Sequence, residues 1–274
     1  MDDLSIGITI VVLLSAALAW LGLWLGQRLR RSTALVVLAA DVAFMAVFAS
    51  CWQDRLWLAR LLPHSALPVV GNWLPLAAGL LVGLAWRLIP GGAVRKSLSL
   101  VPLMGLGVWA LYVPLLQRPP YCGNAWIGGI AIQTSPTTCS PAAAATFLRG
   151  YGISATENEM ADLCLTREKG TTLHGLYRGL VLKTRRTEWR VRIVGGEVER
   201  LRPMRGPVIV PLLPTRGSAG RGDGFLPGVG HTVVLLGFHG QRLEIGDPSA
   251  GREFWRIDEM QRLWTGQGMI LVRR

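Results

Sequence analysis

The stretch IGITIVVLLSAALAWLGLWLG, residues 6–26, carries no charged side chain. Wound as a helix it is long enough to cross roughly 30 Å of hydrocarbon, and it is too long for a typical signal-peptide core. Further apolar segments run at about 33–50, 67–86 and 97–116, each bounded by charged or turn-forming residues. In lipid a backbone must satisfy its own polar groups, which a helix does. Four membrane-spanning helices are therefore expected within residues 1–116. The chain is 50% apolar and 17% charged, and that excess sits at the front: residues 1–116 hold only 8 of the 29 Lys and Arg and 4 of the 17 Asp and Glu.

Basic residues beside a span tend to remain on the cytoplasmic side. The two candidate inside loops carry Arg28, Arg30 and Arg31, then Arg87, Arg95 and Lys96. The candidate outside loop has Arg55 and Arg60, and the N-terminus has Asp2 and Asp3. The expected protein is thus multi-pass in the cell (inner) membrane, with both termini on the extracytoplasmic, periplasmic side. In the outer loop, CWQDRLWLARLL (51–62) places Trp52, Leu56, Ala59 and Leu62 on one helical face, fit to lie along the lipid interface. Asp41 falls inside the second span, where a charge is costly. It invites a functional reading or, alternatively, a protonated or hydrogen-bonded carboxyl against a neighbouring helix. Multiple spans also leave room for a membrane-protein partner.

QRPPYCGNAW (117–126) breaks the helical pattern with two prolines and reads as a linker. From 127 to 274 an α+β domain is expected, helices first and sheet second. Helices are predicted over 141–152, 157–164 and 171–181, and strands over 188–194, 207–213, 231–238, 241–247 and 268–274. Residues 117–274 contribute +8 of the +12 net charge, a surface suited to anionic headgroups or acidic polymers. The basic residues are dispersed and form no nucleic-acid motif, so no nucleic-acid partner is expected.

No cysteine pair has C-x-x-C spacing, so neither a metal nor another cofactor is expected. Cys122 and Cys164 either form one bridge or remain separate thiols. Cys139 stands directly ahead of the first predicted helix, with Ser140 and Pro141 in the opening turn. A thiol there faces unpaired N–H groups and the positive end of the helix dipole, both of which favour thiolate. Gln133, six residues upstream, is placed to share a developing oxyanion with the backbone N–H of Cys139.

His231 begins one predicted strand and Asp247 ends the next. A turn at His239 and Gly240 pairs those strands antiparallel, so His231 and Asp247 become neighbours. Such a pair supplies the base and its orienter for a thiol nucleophile. Each also has a plainer reading, His231 as a strand cap and Asp247 as a turn residue. His239 competes as base, but it sits at the wrong end of its strand; His174 and His64 are read as non-catalytic. RGSAGRGDGFLPGVG (216–230) is either a connector or a flap beside a groove, and its RGD triplet is assigned nothing.

The run Q-x5-C-S-P-A-A, then G-T-T-L-x-G-L, G-H-T-V-V-L-L-G-F and G-D-P-x-x-G, resembles the bacteriocin-processing (double-glycine leader) peptidases, a papain-like cysteine peptidase family. The resemblance covers about 131–272. It implies Cys139, His231 and Asp247 as triad and Gln133 as oxyanion donor. The family usually has Gly after the Cys, where this chain has Ser140. Typical members are fused to an ATP-driven exporter and cleave leaders in the cytoplasm. No G-x-x-x-x-G-K-[ST] loop occurs among these 274 residues, and the charge pattern puts the domain outside, so the leader-peptidase role is not carried over. The expected activity is cleavage of peptide bonds in exported or membrane-exposed proteins. Three alternatives share the features: a transpeptidase or amide-crosslinking enzyme, a cell-wall amidase, and a non-catalytic peptide-binding module.

Overall fold

The computed structural model describes residues 3–116, 119–213 and 228–274. They divide into two compact units, one within Met1–Arg55 and Ala66–Gln117, the other within Leu56–Ser65 and Arg118–Arg274.

The chain runs through α1 (Asp3–Arg28) and α2 (Arg31–Val47), which continues as a π-helical turn over Phe48–Trp52. It then forms a short α3 (Trp57–Leu61), α4 (Leu67–Val70), α5 (Leu74–Leu88) and α6 (Ala93–Leu116). Among the described residues, four helical segments are long and apolar enough to cross a membrane: Asp3–Arg28, Arg31–Trp52, Leu67–Leu88 and Ala93–Tyr112. α1 and α5 meet backbone to backbone. A Cβ added to Gly83 would fall 2.0 Å from the Ala19 carbonyl oxygen, and one on Gly79 2.4 Å from that of Ser15. Gly79 and Gly83 thus work as a small-xxx-small contact, the way helices associate where lipid removes any hydrophobic drive. Asp41 is buried, and its Oδ2 has no hydrogen-bond partner.

The expected interfacial helix over 51–62 is interrupted. Residues 53–55 leave the helix, with Asp54 at φ 61°, so Trp52 does not share a face with Leu56 and Ala59. Leu56, Leu58 and Ala59 are buried, and this segment belongs to the second unit. Burial of apolar side chains, at roughly 1.5–3 kcal/mol each, outweighs the local preference for one continuous helix.

In the second unit, β1 (Ala125–Ile127) and β2 (Ile130–Ile132) form a hairpin, followed by α7 (Cys139–Arg149), α8 (Glu157–Leu163) and α9 (Leu173–Thr184). The remaining elements are β3 (Trp189–Gly195), β4 (Val208–Leu212), β5 (His231–His239), β6 (Arg242–Asp247), β7 (Gly251–Arg256), α10 (Ile257–Leu263) and β8 (Gln267–Arg273). The large sheet is antiparallel with strand order β3-β8-β4-β5-β6-β7. α7 is buried from Ser140 to Leu148; its alanines keep the helix thin enough to lie close against β5. Thr156 and Thr172 cap α8 and α9 by accepting from the Glu159 and Gly175 N–H groups.

Two departures from the sequence reading have local causes. The linker ends earlier than expected, because residues 122–126 are part of the domain: Cys122 is buried, the Gly123 N–H donates to Thr134 Oγ1 at 2.7 Å, and Ala125 enters β1. β7 escapes the apolar pattern because GREFWR mixes charges with Phe254 and Trp255. As an edge strand it buries Trp255 completely and leaves Phe254 exposed. All four cysteines are free, which settles the Cys122 and Cys164 alternatives against a bridge.

Candidate active site

Thr138 is the N-cap of α7 and Cys139 its first helical residue, one position further into the helix than expected. The preceding loop is closed by the Ser135 N–H donating to Thr138 Oγ1 (3.1 Å) and the Thr138 hydroxyl donating to the Ser135 carbonyl (2.9 Å). The half-buried thiol therefore sits at the positive end of an eleven-residue helix.

β5 and β6 pair antiparallel through the turn after His239, and that register brings the start of one strand beside the end of the other. His231 Nε2 lies 2.9 Å from Asp247 Oδ1. The other ring nitrogen, Nδ1, is left for the hydrogen bond between His231 and Cys139. Asp247 Oδ1 also accepts from the Ser249 N–H and hydroxyl, each at 2.7 Å. The turn and the contact with the ring coexist at Asp247: the same Oδ1 that accepts from Ser249 in the D-P-S turn faces His231.

Burial alone would push the Cys139 thiol up. Hydrogen bonds and charge from His231, with contributions from Ser140 and the Thr232 N–H, outweigh it and hold the thiol below its ordinary value. Burial likewise disfavours a charged His231, yet the hydrogen bonds to Asp247 and Cys139 and their charges raise it to about 9. Asp247 is held below the usual carboxylate range, because its bonds to His231 and Ser249 overcome the effect of burial. The remaining buried thiols differ. Burial, with Glu157 and Asp162 nearby, raises Cys122 to about 11, and burial raises Cys164 to about 12.

Gln133 belongs to the same neighbourhood. Its backbone N–H donates to the Pro248 carbonyl at 2.8 Å, tying its loop to the turn after Asp247. Its Nε2 donates to the Ser135 carbonyl at 3.2 Å, which leaves the second amide hydrogen uncommitted, while Oε1 is buried without a partner.

Three polar residues around the site make contacts that the sequence pattern does not reveal. Glu157 is fully buried and accepts from both the N–H and the hydroxyl of Thr134, each at 2.8 Å, so it pins the residue next to Gln133. Ser140 and Thr232, each following a candidate catalytic residue, share a buried hydroxyl contact of 2.8 Å. Only T-E-N-E at 156–159, a helix-opening signal, marks Glu157 in the sequence, and it marks the cap rather than the burial. His239 lies at the far end of β5, exposed and 2.9 Å from Glu244 Oε2, and His174 is buried in α9. Of the flap reading, residues 216–227 lie outside the described residues.

The model of the peptidase C39 family matches residues 129–274. An uncharacterized protein of Methanothermobacter thermautotrophicus is 30% identical over 144 residues, 53% of this chain and 88% of that protein. Among solved structures, the peptidase domain of Streptococcus ComA, a bi-functional ABC transporter, is 21% identical at a TM-score of 0.43, covering 52% of this chain and 96% of that one. A double-glycine-motif protease from an AMS/PCAT transporter, solved with the leader peptide, is 21% identical at a TM-score of 0.43, covering 57% and 98%. Four long apolar helices precede the matched α+β domain, the match takes in more than half of the chain, and the chain belongs to the peptidase C39 family.

Proposed function

We propose that this chain is a membrane-anchored cysteine peptidase with Cys139 as nucleophile, His231 as general base and Asp247 as its orienter. The observation that carries the reading is the unbroken path from Asp247 through His231 to a thiol at a helix N-terminus. Family membership supports a cysteine peptidase of the double-glycine type.

With Cys139 lowered and His231 raised to about 9, the pair favours the proton on the imidazole and the charge on the sulfur. The thiolate attacks the substrate carbonyl, and the oxyanion is received by the Cys139 N–H and the Gln133 amide. His231 returns its proton to the departing amine, leaving an acyl-enzyme that water hydrolyses. An amine acceptor in place of water would give the transpeptidase outcome, and a cell-wall peptide as donor would give the amidase outcome.

The four helices anchor the domain, and the placement of basic residues favours an extracytoplasmic peptidase acting on exported or membrane-exposed polypeptides. A reporter fused after Arg274 should be active only outside the cytoplasm; cytoplasmic activity would overturn that sidedness.

Limited iodoacetamide treatment tests the nucleophile. At pH 7 a thiol titrating near 11 or 12 is thiolate in roughly one molecule in 10⁴ or 10⁵, so Cys139 should alkylate at least 100-fold faster than Cys122 or Cys164. Mass spectrometry of the labelled peptides reads the ratio, and equal rates would favour a non-catalytic binding module.

A further inference from the structure

The residues directly after the nucleophile and the base are joined. Ser140 on α7 and Thr232 on β5 are ninety-two positions apart, 5% and 3% exposed, and their hydroxyl oxygens are 2.8 Å apart. Ser140 Oγ also lies 4.0 Å from Cys139 Sγ, at the long end of a hydrogen bond to sulfur. The β5 ladder to β6 begins only at Val234, so the Thr232 N–H is free of that pairing, and it is hydrogen-bonded to the sulfur. Position 140 is also where this chain departs from the glycine expected by family resemblance.

A hydroxyl has one proton to give and two lone pairs to accept with. When Cys139 is a thiolate, only one ordering of the two protons places a donor against the charge: Thr232 O–H donates to Ser140 Oγ, and Ser140 O–H donates to Sγ. Once sulfur is acylated and uncharged, the ordering is free to reverse. Hydrogen bonds in such a chain polarise one another, and burial keeps water from substituting for either member.

We infer that Ser140 and Thr232 form a serial hydroxyl relay that stabilises the Cys139 thiolate and holds the nucleophile's helix in register with the strand bearing the base. This rests on the reading of Cys139 as nucleophile. Both are positioning residues, with Thr232 acting on the sulfur through Ser140 as well as through its own N–H.

The test is the alkylation rate of Cys139 against pH in the full-length protein, read by mass spectrometry of the peptide containing it. At pH 6, Ser140→Ala should slow alkylation about three- to tenfold, the effect of losing one ordinary hydrogen bond, since this contact to sulfur is long. Thr232→Val should slow it less, and the double variant no more than Ser140→Ala. Thr232→Ser, which keeps the hydroxyl, should restore the wild-type profile. At high pH, once the thiol of each variant is ionised, all profiles should converge. Additive losses in the double variant, equal slowing at every pH, or profiles that overlay the wild type would overturn the relay. Failure of wild-type Cys139 to outpace Cys122 and Cys164 would instead remove the nucleophile reading beneath it, so the two failures are distinguishable.

Discussion

Replacing Cys139 with alanine should lower turnover by about 10⁵- to 10⁶-fold while leaving the domain folded, the scale seen when a covalent nucleophile is removed. The sulfur is half-buried at the first position of α7, and the residues that carry the helix's packing, Ala142–Ala145, Phe147 and Leu148, are untouched. Alanine is tolerated at a helix N1 position. The measurement is the initial rate of hydrolysis of a denatured protein and of peptides containing a Gly-Gly bond, beside a thermal melt. Retained turnover would end the thiol mechanism; lost turnover with a lost melting transition would call for repeating the assay with Cys139→Ser, which preserves shape.

Asp247→Asn should cost about 10³- to 10⁴-fold in kcat/KM, because an amide facing His231 Nε2 no longer fixes the ring's tautomer or stabilises its cation. Oδ1 retains its role as acceptor for Ser249, so the turn persists. The pH signs follow from the shifts. Folded His231 titrates near 9, above its unfolded value near 6.5, so its contribution to stability is complete below about 6.5 and disappears as pH rises through about 9. Asp247 is lowered, so its contribution is present above about 3.8 and disappears as pH falls below that. Wild-type protein should therefore exceed Asp247→Asn in stability most clearly between these limits. The variant's alkylation profile should lose reactivity near neutral pH and rise only at higher pH, since its His231 deprotonates earlier and no longer supports the thiolate. A variant with wild-type kcat/KM would remove Asp247 from the mechanism.

Much of this molecule is legible in its sequence because the relevant signals are local. Span length is read from one uninterrupted run, as at residues 6–26, and strand character from alternation, as in HTVVLLGF. Even the His231 and Asp247 encounter is nearly local, since a single hairpin of sixteen residues' separation fixes it. What escaped had either a mixed pattern or a distant partner. β7 hides its one core side chain, Trp255, among charges, and the segment from Leu56 reads as a helix bound for the interface until Leu56 and Leu58 are seen buried and the segment falls to the second unit.

The sequence by itself therefore determined four apolar helices, an α+β domain behind them, and which Cys, His, Asp and Gln to examine. Only the tertiary structure decided that Glu157 is buried against Thr134, that Ser140 meets Thr232, and that Cys122 and Cys164 stay apart. Periodicity and caps are set by neighbours a few residues away, whereas a hydroxyl contact spanning ninety-two residues exists only once α7 has packed on β5. Packing fixes such pairs through side-chain volume and burial, which no short window of residues encodes.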